Sequence, residues 1–203
     1  MDSTNIEFYT DKIVFLNSED KPDIDFVPSI MRRRLSNADK YTLSVLNDIY
    51  TDDIQNIVYS SKYGEAERLF KMIEQYKSDG ETSPNVFSSS VHNFPVGFFL
   101  FNNKKSIPYN AISACENSIS AGFLSALCSD YQNIIFCYTD TKNGNTVSFG
   151  INIKKSNEIE KRNKYRLYVC NNELTYDNFE KYVLLFTNKV DKIETPLFKL
   201  ERV

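Results

Sequence analysis

The stretch from 108 to 128, PYNAISACENSISAGFLSALC, limits what this 203-residue chain can fold into more than any other. Past Pro108 it begins as a short strand, YNAIS, and it ends as a helix whose apolar residues Ile119, Phe123, Leu124 and Leu127 fall on one face. No loop separates the two. The strand ends at Ser113-Ala114, and Cys115 stands where the chain turns into the helix. A strand that feeds directly into a helix of small residues needs a sheet with that helix packed tightly on its face, so an α/β layered fold is expected.

The remaining elements agree. Residues 6 to 16 (IEFYTDKIVFL) are β-rich and predict a hairpin or strand pair. Ser36 or Asn37 can cap a helix carrying Tyr41, Val45, Leu46 and Ile49 at helical spacing. NIVYSS, 56 to 61, is a short apolar strand, and Gly64 opens a helix in which Leu69, Phe70, Ile73 and Tyr76 are expected to form the buried face. A helix is predicted from about Pro84, with a disturbance near Pro95 and with Ser88-Ser89-Ser90 continuing it as small packing residues. NIIFCYTD (133 to 140), VSFGINIKK and KYRLYVC read as strands, the last two around a charged turn. TYDNFEKYVLLFTNKV reads as a final amphipathic helix capped by Thr175. Strands alternating with helices predict a partly parallel sheet in one domain spanning 1 to 203.

Composition narrows the chemistry. With 41% apolar and 25% charged residues the chain can bury a real core, which excludes a disordered, collagen-like or coiled-coil protein. A single histidine, His92, rules out a two-His zinc site or a pair of imidazoles within the chain. Cys115, Cys128, Cys137 and Cys170 form no CxxC and no cluster, so they read as reduced thiols in a cytoplasmic protein. The N-terminus MDSTNIEFYTDK has no apolar core of a signal, and no apolar run reaches membrane-spanning length. A net charge of −3 argues against general nucleic-acid binding. Arg32-Arg33-Arg34 and the run Lys154 to Arg166 are local basic patches, read as solvated faces or a docking patch. No phosphate loop, carboxylate pair or metal-ligand cluster is present, and no cofactor is expected.

Cys115 has two readings. At a strand-to-helix turn it meets unpaired backbone N–H groups and the positive end of a helix dipole, which favour a thiolate nucleophile. Glu116 beside it opposes that. The other reading is a small hydrophobe at a tight junction. His92, near Ser90 and Asn93, either shapes a pocket or subunit interface or is a hydrogen-bonded structural imidazole. Phe94, Phe98, Phe99 and Phe101 either line an acyl tunnel or pack in the core or a dimer contact.

On these residues the chain resembles a known family. SPNVFSSSVHNFPVGFF and IPYNAISACENSISAGFLSAL look like the N-terminal half of β-ketoacyl-acyl-carrier-protein synthases, of the thiolase-like superfamily. In these enzymes an S-P-x-x-F … N-x-x-x-G helix at the dimer interface precedes a strand ending in an Ala-Cys nucleophile elbow. Asn93 and Gly97 fall on the first motif and Ala114-Cys115 on the second. MRRRLS, SSKYGE and SPNVFSSSVHN, with the short length, are similar to the chain-length-factor-like proteins of aryl polyene and dialkylresorcinol pathways. The resemblance covers roughly residues 25 to 155. It implies a thiolase-like half-fold, a layered mixed sheet with helices on both faces.

The resemblance also implies what is missing. A full condensing enzyme is about twice as long, and its second half supplies two histidines and a lysine. Condensing activity by this chain alone is therefore not expected. It is expected to be an accessory, chain-length-factor-like subunit of fatty-acid or polyketide-type biosynthesis, paired with a ketosynthase or with itself, and approached by an acyl-carrier protein. Relatives of this short type often carry another residue at the elbow. An acyltransferase or thioesterase-like enzyme using Cys115, and a degenerate structural homodimer, stay open as alternatives.

Overall fold

A computed structural model describes residues 5–155, 163–170 and 177–203. One nine-stranded sheet runs through them in the order β4-β3-β5-β6-β1-β7-β9-β8, with β2 also paired to β6. Strands β3 (Asn56–Ser60), β4 (Tyr109–Ile112) and β5 (Asn133–Lys142) are parallel, and every other pairing is antiparallel. β5 and β6 (Asn145–Lys154) form a long hairpin through Asn143-Gly144, both at positive φ, as the right-handed twist of a tight hairpin demands.

β1 (Asn5–Thr10) and β2 (Ile13–Leu16) do not form the expected hairpin. β1 pairs with β7 (Asn163–Val169) and touches β6 at Tyr9, whereas β2 lies along Ser148–Ile151 of β6. The two residues between them, Asp11 and Lys12, bend one extended segment instead of reversing it.

Past the one-turn helix α1 (Ser29–Arg32), helices cover both faces. On one side α2 (Asn37–Ile49) and α5 (Phe94–Asn102) bury Leu43, Leu46, Ile49, Val96 and Phe99 against Ile57, Tyr59, Ile135 and Cys137. On the other, α6 (Ser118–Cys128) and α7 (Phe179–Phe186) bury Phe123, Leu127, Tyr182 and Phe186 against Phe136, Phe149, Tyr165 and Phe198. The alternation along β5 divides its residues between these cores: Ile134, Phe136 and Tyr138 to one, Ile135 and Cys137 to the other. Two glycines set the spacing of the layers. A Cβ on Gly150 would lie 2.5 Å from Val45 and 2.4 Å from Ile49 of α2, and one on Gly122 would lie 2.6 Å from Ser60 and 2.7 Å from Phe136.

Several boundaries differ from the sequence reading. The segment after Ser83 makes two helices, α4 (Pro84–Ser88) and α5, and the break falls at Ser89–Asn93, before Pro95. Pro95 sits in the first turn of α5, where its missing N–H costs nothing. The serines end α4 instead of continuing it. The Ser88 and Ser89 hydroxyls donate to the Asn85 carbonyl and that of Ser90 to the Phe87 carbonyl, competing with helix propagation. Thr175 and the charged turn before β7 lie outside the described residues, and α7 is capped instead by Asn178, whose Oδ1 accepts from the Glu180 N–H at 2.8 Å. α7 is not the last element, because β8 (Lys192–Glu194) and β9 (Phe198–Arg202) follow and close the sheet edge beyond β7.

The largest departure is α3 (Ala66–Asp79), where none of the four residues expected to be buried is so. Leu69, Phe70, Ile73 and Tyr76 are 43%, 66%, 41% and 59% exposed. The chain leaves β3, turns at Gly64 (φ +52°) and carries α3 off the sheet, so that its apolar stripe has no layer beneath it.

Candidate functional site

The C-terminal ends of β3 and β4 lie side by side, held by the Ser61 N–H donating to the Ile112 carbonyl at 3.2 Å. The open crevice at such strand ends is where α/β sheets place ligands. Beyond β4, Ala114 leaves the extended conformation (φ −141°, ψ 42°) and Cys115 takes φ +50°, the left-handed region that a β-carbon makes costly. A 3-10 turn, Cys115–Asn117, then leads into α6. The Ser118 hydroxyl fastens this elbow, accepting from the Ala114 N–H at 3.0 Å and donating to the Cys115 carbonyl at 2.8 Å. Ser60 of β3 donates to the Ser118 carbonyl, and Gly122 lets α6 lie directly on Ser60 and Phe136. The strain at Cys115 is thus held by packing on both sides, and the Cys115 side chain is exposed. This is the backbone geometry of a nucleophile elbow. Of the other thiols, Cys137 is buried and pushed up to about 12 by that burial, while Cys128 ends α6 and Cys170 follows β7.

Around the elbow, Glu116 pairs with Lys62, and its carbonyl accepts from the Asp177 N–H at 3.1 Å. The Asp177 carboxylate accepts in turn from the Tyr182 hydroxyl at 3.0 Å, and burial raises its pKa.

His92 sits over the C-terminal end of β3, against the same Ser61 whose N–H joins β3 to β4. Its Nε2 shares a 2.8 Å hydrogen bond with the Ser61 hydroxyl, and its ring lies 5.3 Å from that of Tyr59. Burial lowers its pKa, so the imidazole is neutral at pH 7. Asn93 donates to the Tyr109 hydroxyl of β4 at 3.3 Å, and Gly97 leaves room for the same hydroxyl, which a Cβ would meet at 3.0 Å. The motif residues Asn93 and Gly97 thereby seat α5 against the edge strand. Phe94 and Phe98 pack on each other at 5.7 Å, with the Arg68 guanidinium over Phe94. Phe99 is core and Phe101 fully turned to solvent, so the four rings do not line one tunnel.

A second cluster of polar side chains is not marked in the sequence. Asp39 is fully buried at the start of α2, where Ser36 and Asp39 cap each other: the Asp39 N–H donates to Ser36 Oγ and the Ser36 N–H to Asp39 Oδ2. Arg68 Nη2 donates to the same Oδ2 at 2.7 Å and Arg68 Nε lies 3.3 Å from Glu65 Oε2, while Ser36 Oγ donates to Glu65 Oε1 at 2.9 Å. Two carboxylates therefore share one guanidinium out of water. Burial, with the neighbouring Asp39 charge, pushes Glu65 up to about 7, and burial raises Asp39 as well. Among the described residues Asp39 Oδ1 has no hydrogen-bond partner. The cluster borders a cavity of about 290 Å³ between the start of α2, the first turn of α3 and the β5–β6 turn. The S-x-x-D spacing of Ser36 and Asp39 is the one signal that could have pointed to it.

Among the described residues no group of three or more acidic, cysteine or histidine side chains could hold a metal, and no helix is long and apolar enough to cross a membrane.

The elbow and the layered sheet belong together in one class. The family model for the β-ketoacyl synthase N-terminal domain matches residues 10–144, and the chain belongs to that family. Its fold is thiolase-like. A structure of a ketosynthase (ApeO) in complex with its chain length factor (ApeC) from Xenorhabdus doucetiae matches with a TM-score of 0.71 at 16% identity, over 90% of this chain and 84% of that one. The ishigamide ketosynthase/chain length factor matches with a TM-score of 0.53 at 11% identity, over 67% of this chain, which spans about half of that one (48%). No curated protein sequence matches the chain.

Proposed function

We propose that this chain, as one ketosynthase N-terminal-like domain, is an accessory chain-length-factor-like subunit that pairs with a ketosynthase in cytoplasmic fatty-acid or polyketide-type biosynthesis, of the kind that makes aryl polyenes. The observation that carries this reading is the built elbow: Cys115 sits exposed at φ +50° past the end of β4, while the one imidazole is engaged with the Ser61 hydroxyl. The likeness to ketosynthase–chain length factor structures supports it, as does the near-equal coverage of the ApeO/ApeC match on both sides. A partner that brings its own base and oxyanion donors supplies what decarboxylative condensation needs. In such a pair an acyl-carrier protein delivers the chain to the partner's thiol. Co-expression with a ketosynthase from the same genome, followed by size exclusion, is the test. Co-elution at one-to-one stoichiometry is expected, and a stable homodimer that never co-elutes overturns the reading.

The strained, exposed thiol also favours a second reading, in which Cys115 accepts an acyl group. Its thiolate attacks a thioester carbonyl, an S–C bond forms, and the carrier thiolate leaves and takes up a proton. Intact mass after incubation with acyl-carrier protein or acyl-CoA decides it: an adduct on wild type and none on Cys115→Ala supports acylation, and the same adduct on both rules it out.

A further inference from the structure

The elbow is held from a part of the chain that the family model does not reach. That match ends at residue 144, and Asp177, Tyr182, Phe186 and Phe198 come after it. Tyr182, Phe186 and Phe198 surround the Phe123 ring of α6 at 6.1, 6.3 and 5.8 Å between centroids, and Asp177 reaches the start of the same helix. Its N–H donates to the Glu116 carbonyl, in the turn that begins at Cys115, at 3.1 Å. Its carboxylate accepts from the Tyr182 hydroxyl at 3.0 Å and the Asn178 N–H at 2.9 Å, and it faces the Ser120 N–H in the first turn of α6. Burial opposes its ionisation, and these donors favour it.

A helix start carries the equivalent of about half a positive charge, and at an elbow that charge favours a thiolate. Here a carboxylate of the protein is already seated against it. Glu116, beside the thiol, is paired with Lys62, whereas no lysine or arginine pairs with Asp177 among the described residues. Tyr182 of α7 and Tyr138 of β5 also face Asp177, and Asp140 accepts from the Tyr138 hydroxyl, so the groups packed around this carboxylate bring no positive charge.

Resting on the reading that this elbow does not itself condense, we infer that Asp177 is a positioning residue that restrains Cys115: its N–H anchors the elbow turn, and its carboxylate answers the positive end of α6 that an elbow otherwise offers to a thiolate. The effect reaches the sulfur through the helix start and not by contact. The segment that completes the sheet beyond β7 therefore also sets how readily the exposed thiol reacts.

The test is alkylation of the intact chain by iodoacetamide from about pH 6 to pH 10, read at each cysteine by peptide mass. Only the thiolate reacts, so the rate at Cys115 traces its ionisation. Asp177→Asn keeps the shape of the side chain and removes its charge. It is expected to move the Cys115 profile to lower pH and to raise the rate at pH 7 about threefold, the size of a helix-end charge effect, while Cys128 at the far end of α6 keeps its profile. Asp177→Glu, which retains the charge, is expected to keep the wild-type profile. A Cys115 profile that does not move to lower pH in Asp177→Asn, an equal shift at Cys128, or an equal shift in Asp177→Glu overturns the inference; so does a change confined to the plateau rate, which marks a merely loosened elbow. Should Asp177→Asn fail to fold, the wild type decides. A Cys115 that alkylates at pH 7 no faster than Cys128 supports the restraint, and a faster one overturns it. Pairing with a ketosynthase is read separately by co-elution, so either idea can fail while the other stands.

Discussion

Helices α2 and α3 look alike on paper and are treated oppositely by the fold. Each has an apolar stripe at helical spacing, and each sits next to β3 in sequence. In α2 the stripe is buried, with Leu43, Val45, Leu46 and Ile49 at 0% exposure over Gly150. In α3 no residue is buried. What ties α3 down is polar: Arg68 reaches Asp39, Glu65, the Arg34 carbonyl and the Ser89 carbonyl. One helix builds the core and the other displays a surface, and amphipathicity alone does not distinguish them.

The comparison can be broken by experiment, beginning with the largest effect. Leu46→Ala should cost about 3 kcal/mol by denaturant unfolding, the price of a cavity in a packed layer. A loss under about 1 kcal/mol would mean that α2 is not part of that layer. Gly122→Ala should cost about 2 kcal/mol, because its Cβ meets Ser60 and Phe136 at the elbow helix and neither can swing away. Ser36→Ala removes a capping hydroxyl and its bond to Glu65, and should cost about 1 kcal/mol.

A pH-shaped effect separates the polar tether from the apolar stripe. Glu65 holds its proton in the folded chain up to about 7 but only to 4.5 when unexposed to burial, so folding takes up a proton in that window. The contribution of Glu65 to stability is therefore greatest at or below pH 4.5 and is lost as pH rises through 7. Asp39 shares the sign, while His92, whose pKa is lowered, has the opposite one and loses stability as pH falls. The difference in thermal midpoint between wild type and Glu65→Gln should thus widen from pH 5 to pH 8, in favour of the variant. A constant difference would show that Glu65 does not titrate there. The smallest effect is expected for Ile73→Ala, within about 0.5 kcal/mol in the free chain. A core-sized loss would mean that the α3 stripe is packed after all.

Much of this was legible. The run from β4 through Cys115 to α6 could be read directly, because a strand ending in small residues and a helix with Phe123 and Leu127 on one face leave little choice of architecture. The elbow's positive φ could not be read, since it arises from Ser118, Ser60 and Gly122 clamping the turn from two directions. His92 stood out as the lone imidazole, but its partner Ser61 lies 31 residues away and is met only because the segment after α4 folds back over the end of β3. The Asp39–Arg68–Glu65 cluster was invisible for the same reason, apart from the cap spacing of Ser36 and Asp39. β8, a three-residue edge strand, and β9 beside it were missed because such short strands carry too few alternating residues to announce themselves.

Local chemistry in the sequence determined that this chain is an α/β protein, that a helix begins at Ser36, and that a cysteine stands at a strand-to-helix turn. Periodicity and capping act over a few residues, so they survive without knowledge of the rest. The tertiary structure decided which apolar stripes go inward. Burial depends on whether another layer arrives on that side, and for α3 the sheet ends before it gets there, leaving Leu69, Phe70, Ile73 and Tyr76 facing outward beside a pair of carboxylates with one arginine between them.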